Sequence, residues 1–276
     1  MNRAAVRAIA RKDISTVLRN RGVRLPLIIT PTILLVLLPL LLVGGANLLT
    51  DAAATTPGAA AAPFEELTDQ AARSQQGRED ISPQGRWAAF VTEVFLAPLY
   101  LLVPLITATV IAADSFAGER ERGTLEALLH SATTDRELLT AKFLAAWLPA
   151  VAVSTVGFLV YAVLANILGW PHFGRIFFPN LTWLLLAGLV APGIAALGLA
   201  VMVIASSRVN SLQAAHQIGS LVVLPVLVLL VAQITGVLLF EPSLVATMGV
   251  IIWVVAALML TLGARTLRRE RLALRL

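Results

Sequence analysis

The chain has no cysteine and only two lysines, Lys12 and Lys142, and charged residues fill just 13% of its 276 positions. Each shortage excludes something. Without cysteine there is no disulfide and no thiolate metal ligand. A phosphate-cradling loop of the GxxxxGK type needs a lysine followed by Ser or Thr. Lys12 is followed by Asp13 and Lys142 by Phe143, so the chain cannot hydrolyse ATP by that route. The histidines His130, His172 and His216 stand far apart, and no HExxH, GxSxG or acid pair occurs. Ionisable groups are also missing from the middle of the apolar runs, where a membrane enzyme or a proton pump would keep them; Glu93 and Glu241 lie only at run boundaries. Energy, if the protein uses any, comes from another subunit.

Apolar sequence is what the chain has in excess. It is 58% hydrophobic with a mean hydropathy of +0.85, outside the range in which a soluble domain can cover its surface. Six charge-free runs, 25–50, 94–113, 143–174, 176–207, 209–240 and 242–264, each reach the roughly 20 residues a bilayer crossing needs. They show no barrel-like alternation, and open sheet edges cannot face lipid. The expected fold is therefore an all-α membrane protein with six transmembrane helices. "GWPHFG" at 169–174 and "SSRVNSLQ" at 206–213 supply two of the turns. A cleavable leader fits the first run poorly, because its apolar stretch is long and its charged lead-in extends to Arg24.

Orientation follows from basic residues in short flanking segments, which stay cytoplasmic. With both termini inside, seven fall in 1–24, four in 114–142, one in 206–213 and five from Arg265 on; outside are only Arg73, Arg78, Arg86 and Arg175. The 17 to 4 split makes topology, not nucleic acid, the reason for the net charge of +5. The expected order is an interfacial helix in 1–24, a span in 25–50, an extracytoplasmic loop in 51–91 and a span in 92–113. A cytoplasmic region in 114–137 follows, then spans in 138–169, 176–206, 214–240 and 244–264, and a cytoplasmic tail in 265–276. The abundance of Ala and Arg points to a bacterial inner membrane.

Residues 3–20 place Val6, Ile9, Ala10, Ile14, Val17 and Leu18 on one helical face and Arg3, Arg7 and Arg11 on another, the pattern of an amphipathic helix on the inner leaflet. It either anchors the first span to anionic lipid or binds a partner. The external loop carries six acids against three arginines and reads as a partly helical connection. Trp87, Trp170 and Trp183 fall where outer-interface belt residues belong, and Ala187, Ala191 and Ala195 form a small-residue stripe in the fourth span.

The stretch "GERERGTLEALLHS" at 118–131 breaks the pattern, with five charges among the eight residues from Glu119 to Glu126. Glu119 with Arg122, and Arg122 with Glu126, fall at i,i+3 and i,i+4, while Leu125, Leu128 and Leu129 form an apolar edge. Thr134 and Glu137 match a capping box that starts the next span. A solvated loop would need no leucine edge; a docking surface would.

At these residues the chain resembles the permease subunits of type-2 ATP-binding-cassette exporters. The resemblance rests on Glu119, Gly123-Thr124-Leu125-Glu126, Leu128-Leu129 and Lys142, and on an opening "ARKDISTVLRNR" with Asp13 where the family has Glu. It departs at Ala132-Thr133, where the family usually has a proline. It implies that two permease copies or homologues pair and that two ATPase subunits, which hold the ATP and Mg, dock below. Glu119, Arg122, Gly123, Thr124, Leu125, Glu126, Leu128 and Leu129 would then form a coupling helix at about 115–130. Arg7, Arg11, Lys12 and Asp13 would make a secondary contact to ATPase or lipid. No cofactor and no catalytic residue is expected in the chain itself. The competing reading is a non-transporting membrane component that passes ATPase-driven motion to an extracytoplasmic partner. An intramembrane enzyme is disfavoured by the lack of buried polar groups.

Overall fold

The computed structural model describes residues 3–45, 82–118, 134–206, 212–235 and 240–266. Every element among them is helical. An N-terminal helix, α1 (Arg3–Arg19), is followed by six helices long and apolar enough to cross a membrane: α2 (Arg21–Gly44), α3 (Gln84–Phe116), α4 (Glu137–Phe173), α5 (Leu181–Ser206), α6 (Gln217–Ile234) and α7 (Pro242–Gly263). The protein is thus a multi-pass membrane protein. The end of the bundle that carries α1 is called proximal below, and the other end distal. The 33 residues of α3 and 37 of α4 extend about 50 Å or more at the usual helical rise. A hydrocarbon core of about 30 Å cannot cover them, so both helices tilt or protrude.

α3 is the central helix, with nearly every side chain from Leu96 to Phe116 buried, whereas α2, α4, α6 and α7 expose apolar faces. α5 packs most closely on α3 and α7, and small residues allow it. A Cβ added at Gly198 would stand 2.9 Å from Leu105 of α3, and one added at Gly249 of α7 would stand 2.7 Å from Leu189 of α5. Close backbone approach of this kind is how helices gain packing energy in lipid, where no hydrophobic drive brings them together. Ala191 and Ala195 of the small-residue stripe are fully buried in the same region.

Wide π-type turns interrupt the spans at Ile33–Leu37, Leu40–Gly44, Phe90–Phe95, Asp114–Gly118 and Leu186–Val190. Such turns leave backbone carbonyls short of their usual helical donors, and in lipid these need another donor. Tryptophan and tyrosine supply it. Trp87 Nε1 donates to the Leu42 carbonyl at 2.8 Å, Trp253 Nε1 to Leu189 at 3.0 Å and Trp183 Nε1 to Glu93 at 3.1 Å, while Tyr161 Oη donates to Thr92 at 2.7 Å. Trp147 Nε1 reaches the Pro192 carbonyl at 2.9 Å, just past one such turn.

Several boundaries differ from the sequence reading. α2 starts at Arg21 because the Asn20 side chain accepts from Gly22 N and caps it. The helix of α3 begins at Pro83, ahead of the expected 92, with Ser82 accepting from Gly85 N and Pro83 at the first helical position. "GWPHFG" is not itself the turn. α4 runs through Pro171 to Phe173 and ends at Gly174, whose φ of 59° is the left-handed conformation that glycine accepts without a Cβ penalty. α5 starts only at Leu181, because residues 174–180 form a loop held by Asn166. Its Oδ1 accepts from Phe177 N and Phe178 N, and its Nδ2 donates to the Phe178 carbonyl. Trp183 does not belong to an interface belt. It is fully buried, with ring centroids of Tyr100, Tyr161 and Phe178 at 5.0–5.5 Å. Trp170, which is exposed, keeps a position compatible with the belt.

Candidate functional site

The buried charged side chains of the described residues, Asp13, Asp114, Glu137 and Lys142, collect at the proximal end, around the helix ends that flank segment 119–133. That segment contains Glu119, Arg122, Gly123, Thr124, Leu125, Glu126, Leu128 and Leu129, and it lies outside the described residues. Its flanks are well defined. On one side Asp114–Gly118 continues the helix of α3 as a π turn, so residues 115–118 belong to the end of a span and not to a separate short helix. On the other side Thr134 and Glu137 form the expected capping box. Glu137 N donates to Thr134 Oγ1 at 3.4 Å and Thr134 N donates to Glu137 Oε2 at 3.1 Å.

α1 packs across both flanks. Its buried stripe is Val6, Ala10, Asp13 and Val17, an i, i+4, i+7, i+11 series that marks one helical face. Asp13 is the one acid in that stripe, and it points at Lys142. Lys142 is 1% exposed; its ammonium donates to the Ser115 carbonyl at 2.8 Å, lies 3.8 Å from Asp13 Oδ2, and stands 5.3 Å from the centre of the Phe116 ring. The contact with Ser115 is a hydrogen bond; the one with Asp13 is a Coulombic pair just beyond hydrogen-bond range. In buried surroundings both matter, because an ammonium removed from water needs compensating charge and acceptors. Beside it, Asn20 Nδ2 approaches Asp114 Oδ1 at 3.4 Å, tying the α1–α2 junction to the end of α3. Below this polar layer, Val17, Val23, Leu27, Ile111, Phe116, Leu199 and Met202 form a continuous apolar core.

Of the four α1 residues singled out by sequence, Arg7, Arg11 and Lys12 are exposed, whereas Asp13 is buried. The structure therefore turns Asp13 inward, between Lys12 Nζ at 4.0 Å from its Oδ1 and the buried Lys142 Nζ at 3.8 Å from its Oδ2. Sequence reasoning missed this pairing, together with Asp114, Ser115 and Asn20. The signal was present in the acid occupying an otherwise apolar helical face, and in a lysine immediately ahead of a long charge-free run, 143–174.

Two apolar pockets lie among the described residues. One, of about 300 Å³, lies beside this cluster between Phe116, Leu139, Phe143, Leu199, Val203 and Leu260. The other, of about 650 Å³, is distal, between Val163, Ile167, Trp170, Ile176, Phe178 and Pro179. Neither is lined by an ionisable side chain. Among the described residues no group of three or more His, Asp or Glu side chains gathers to hold a metal ion.

Residues 7–263 match the family described as ABC-2 family transporter protein, a stretch that takes in α1 from Arg7 on, all six spans and segment 119–133. The chain belongs to the ABC-2 transporter family. No curated protein matches it. Members of this family are the membrane components of ATP-binding-cassette transporters, and membership implies pairing with an ATPase. For an ABC-2 member the polar layer takes on significance: it joins α1 to the end of α3 and the start of α4, the two helices that flank segment 119–133.

Proposed function

We propose that this ABC-2 protein is the permease subunit of an ATP-driven exporter, with both termini cytoplasmic and segment 119–133 acting as the docking element for a separate ATPase. Two permease copies or homologues would pair in the bacterial inner membrane above two ATPase subunits that hold the ATP and Mg. The observation that carries this reading is the family match across 7–263, in a chain that has no phosphate-binding loop of its own. The charges Glu119, Arg122 and Glu126 supply recognition, and Leu125, Leu128 and Leu129 seat the contact. The exposed Arg7, Arg11 and Lys12 of α1 favour a second contact, with ATPase or with anionic lipid.

Co-expression with the partner ATPase, followed by affinity purification through the permease, tests the reading. The expected product is a complex in which nucleotide binding resides in the ATPase alone. Measurable ATP affinity in the isolated permease overturns it. Transport is separated from mere force transmission by cargo-dependent stimulation of hydrolysis, which the non-transporting alternative lacks.

A further inference from the structure

α1 is held at two points. At its C-terminal end it runs into Asn20, whose extended backbone (φ −79°, ψ 113°) separates it from α2. Two helical turns earlier, about 10 Å along the axis at the usual rise, Asp13 meets Lys142. The first point is a covalent pivot. The second fixes the angle at which α1 lies, because the rest of its buried stripe, Val6, Ala10 and Val17, offers non-directional apolar contact that tolerates sliding. Lys142 lies near the start of α4, directly after segment 119–133, and its hydrogen bond to the Ser115 carbonyl binds that start to the end of α3. Any displacement of the segment therefore reaches α3 and α4 through the backbone. It reaches α1 through the carboxylate of Asp13.

We propose that Asp13 and Lys142 are the positioning pair that makes α1 move with α4 when segment 119–133 is displaced. The proposal rests on the reading of that segment as the ATPase-docking element. In this arrangement the three helices at the proximal end respond as one body. Without the pair, α1 keeps only its apolar contacts with α4, which let it lag while α3 and α4 move. Apolar packing alone cannot do this work, since a buried charge pair resists separation over distances at which dispersion contacts have already vanished.

The test uses the complex of permease and ATPase, and exploits the absence of cysteine. Paired nitroxide labels are placed on exposed positions before assembly: Ser15→Cys with Val254→Cys reports α1 against α7, and Leu148→Cys with Val254→Cys reports α4 against α7. Labelled permease is diluted into unlabelled permease so that only distances within one chain are read, with and without ATP plus vanadate. In the otherwise wild-type chain both distances are expected to shift on nucleotide trapping. With Asp13→Asn the α4 shift is expected to persist and the α1 shift to be lost, while Asp13→Glu, which keeps the charge and leaves the Lys142 bond to Ser115 intact, retains it.

Asp13→Asn keeps the side-chain shape and leaves Lys142 on Ser115, so the fold is expected to survive. Co-purification of the ATPase checks that docking does too. An α1 shift that persists undiminished in Asp13→Asn overturns the proposal, because α1 is then driven by direct ATPase contact. An α1 distance that never changes in the wild-type chain also overturns it, leaving the pair a static brace. Failure of the wild-type chain to bind any ATPase overturns the docking reading itself, and this proposal with it.

Discussion

Tyr161 on α4 donates a 2.7 Å hydrogen bond to the Thr92 carbonyl of α3, inside the π turn Phe90–Phe95. Both residues are buried, so no water can take the place of the phenol. The bond repairs what the widened turn leaves open, and it fixes the register of two spans.

Tyr161→Phe removes this donor and keeps the ring. Interhelical hydrogen bonds in membranes are worth about 0.6 kcal/mol on average and about 1.7 at most, so a loss of roughly 1 kcal/mol is expected. Trp183→Ala removes the buried ring at the centre of the same cluster as well as the bond to Glu93, and should cost about 3–5 kcal/mol. Thermal unfolding in detergent, followed by size-exclusion fluorescence, should rank the two in that order. Equal effects would mean that the hydrogen bonds, not the ring packing, hold the distal core.

Lys142→Met takes the buried ammonium away from the Asp13 carboxylate and the Ser115 carbonyl. Breaking one side of a buried pair costs about 3–5 kcal/mol, whereas replacing both partners by apolar side chains is often near neutral. Lys142→Met combined with Asp13→Leu is therefore expected to recover most of the stability lost in Lys142→Met. A double variant no more stable than the single one would show that the bond to Ser115 dominates.

Glu126→Arg should leave expression and detergent stability near those of the parent and release the ATPase. Truncating one partner of a desolvated interfacial charge pair costs about 2–5 kcal/mol, while an exposed pair is worth about 0–1 kcal/mol. Unchanged co-purification would move the docking surface elsewhere, most simply to Arg7, Arg11 and Lys12.

Gly198→Leu places a side chain where even a Cβ stands 2.9 Å from Leu105 and 3.1 Å from Thr109. α3 and α5 must then separate, and overpacking of this kind costs about 1–3 kcal/mol. A variant as stable as the parent would mean that the α3–α5 contact is looser than the structure indicates.

Topology is open to direct measurement in the cysteine-free background. An impermeant maleimide applied to whole cells should label Ala60→Cys and spare Ser207→Cys, since 17 of the 21 basic residues fall on the side assigned to the cytoplasm. The reverse pattern inverts the protein.

The existence and approximate place of the six spans were legible in the sequence, because insertion into lipid is decided by local composition and length. A run such as 143–174 has no soluble alternative. The capping box at Thr134 and Glu137 was legible for the same reason, as its partners are three residues apart. Trp183 was misread because hydropathy reports depth along a span but not direction around it. Whether a tryptophan near a span end faces lipid or the bundle depends on which helices stand beside it. Asp13 and Lys142 lie more than a hundred positions apart, and each is an ordinary interfacial charge when read alone. Composition and periodicity thus determined that this chain carries six helices long and apolar enough to cross a membrane, preceded by a helix with one buried face. Only the tertiary structure decided that the acid on that helix turns inward to the lysine of α4, because a buried charge is placed by the partner that compensates it, and that partner comes from another part of the chain.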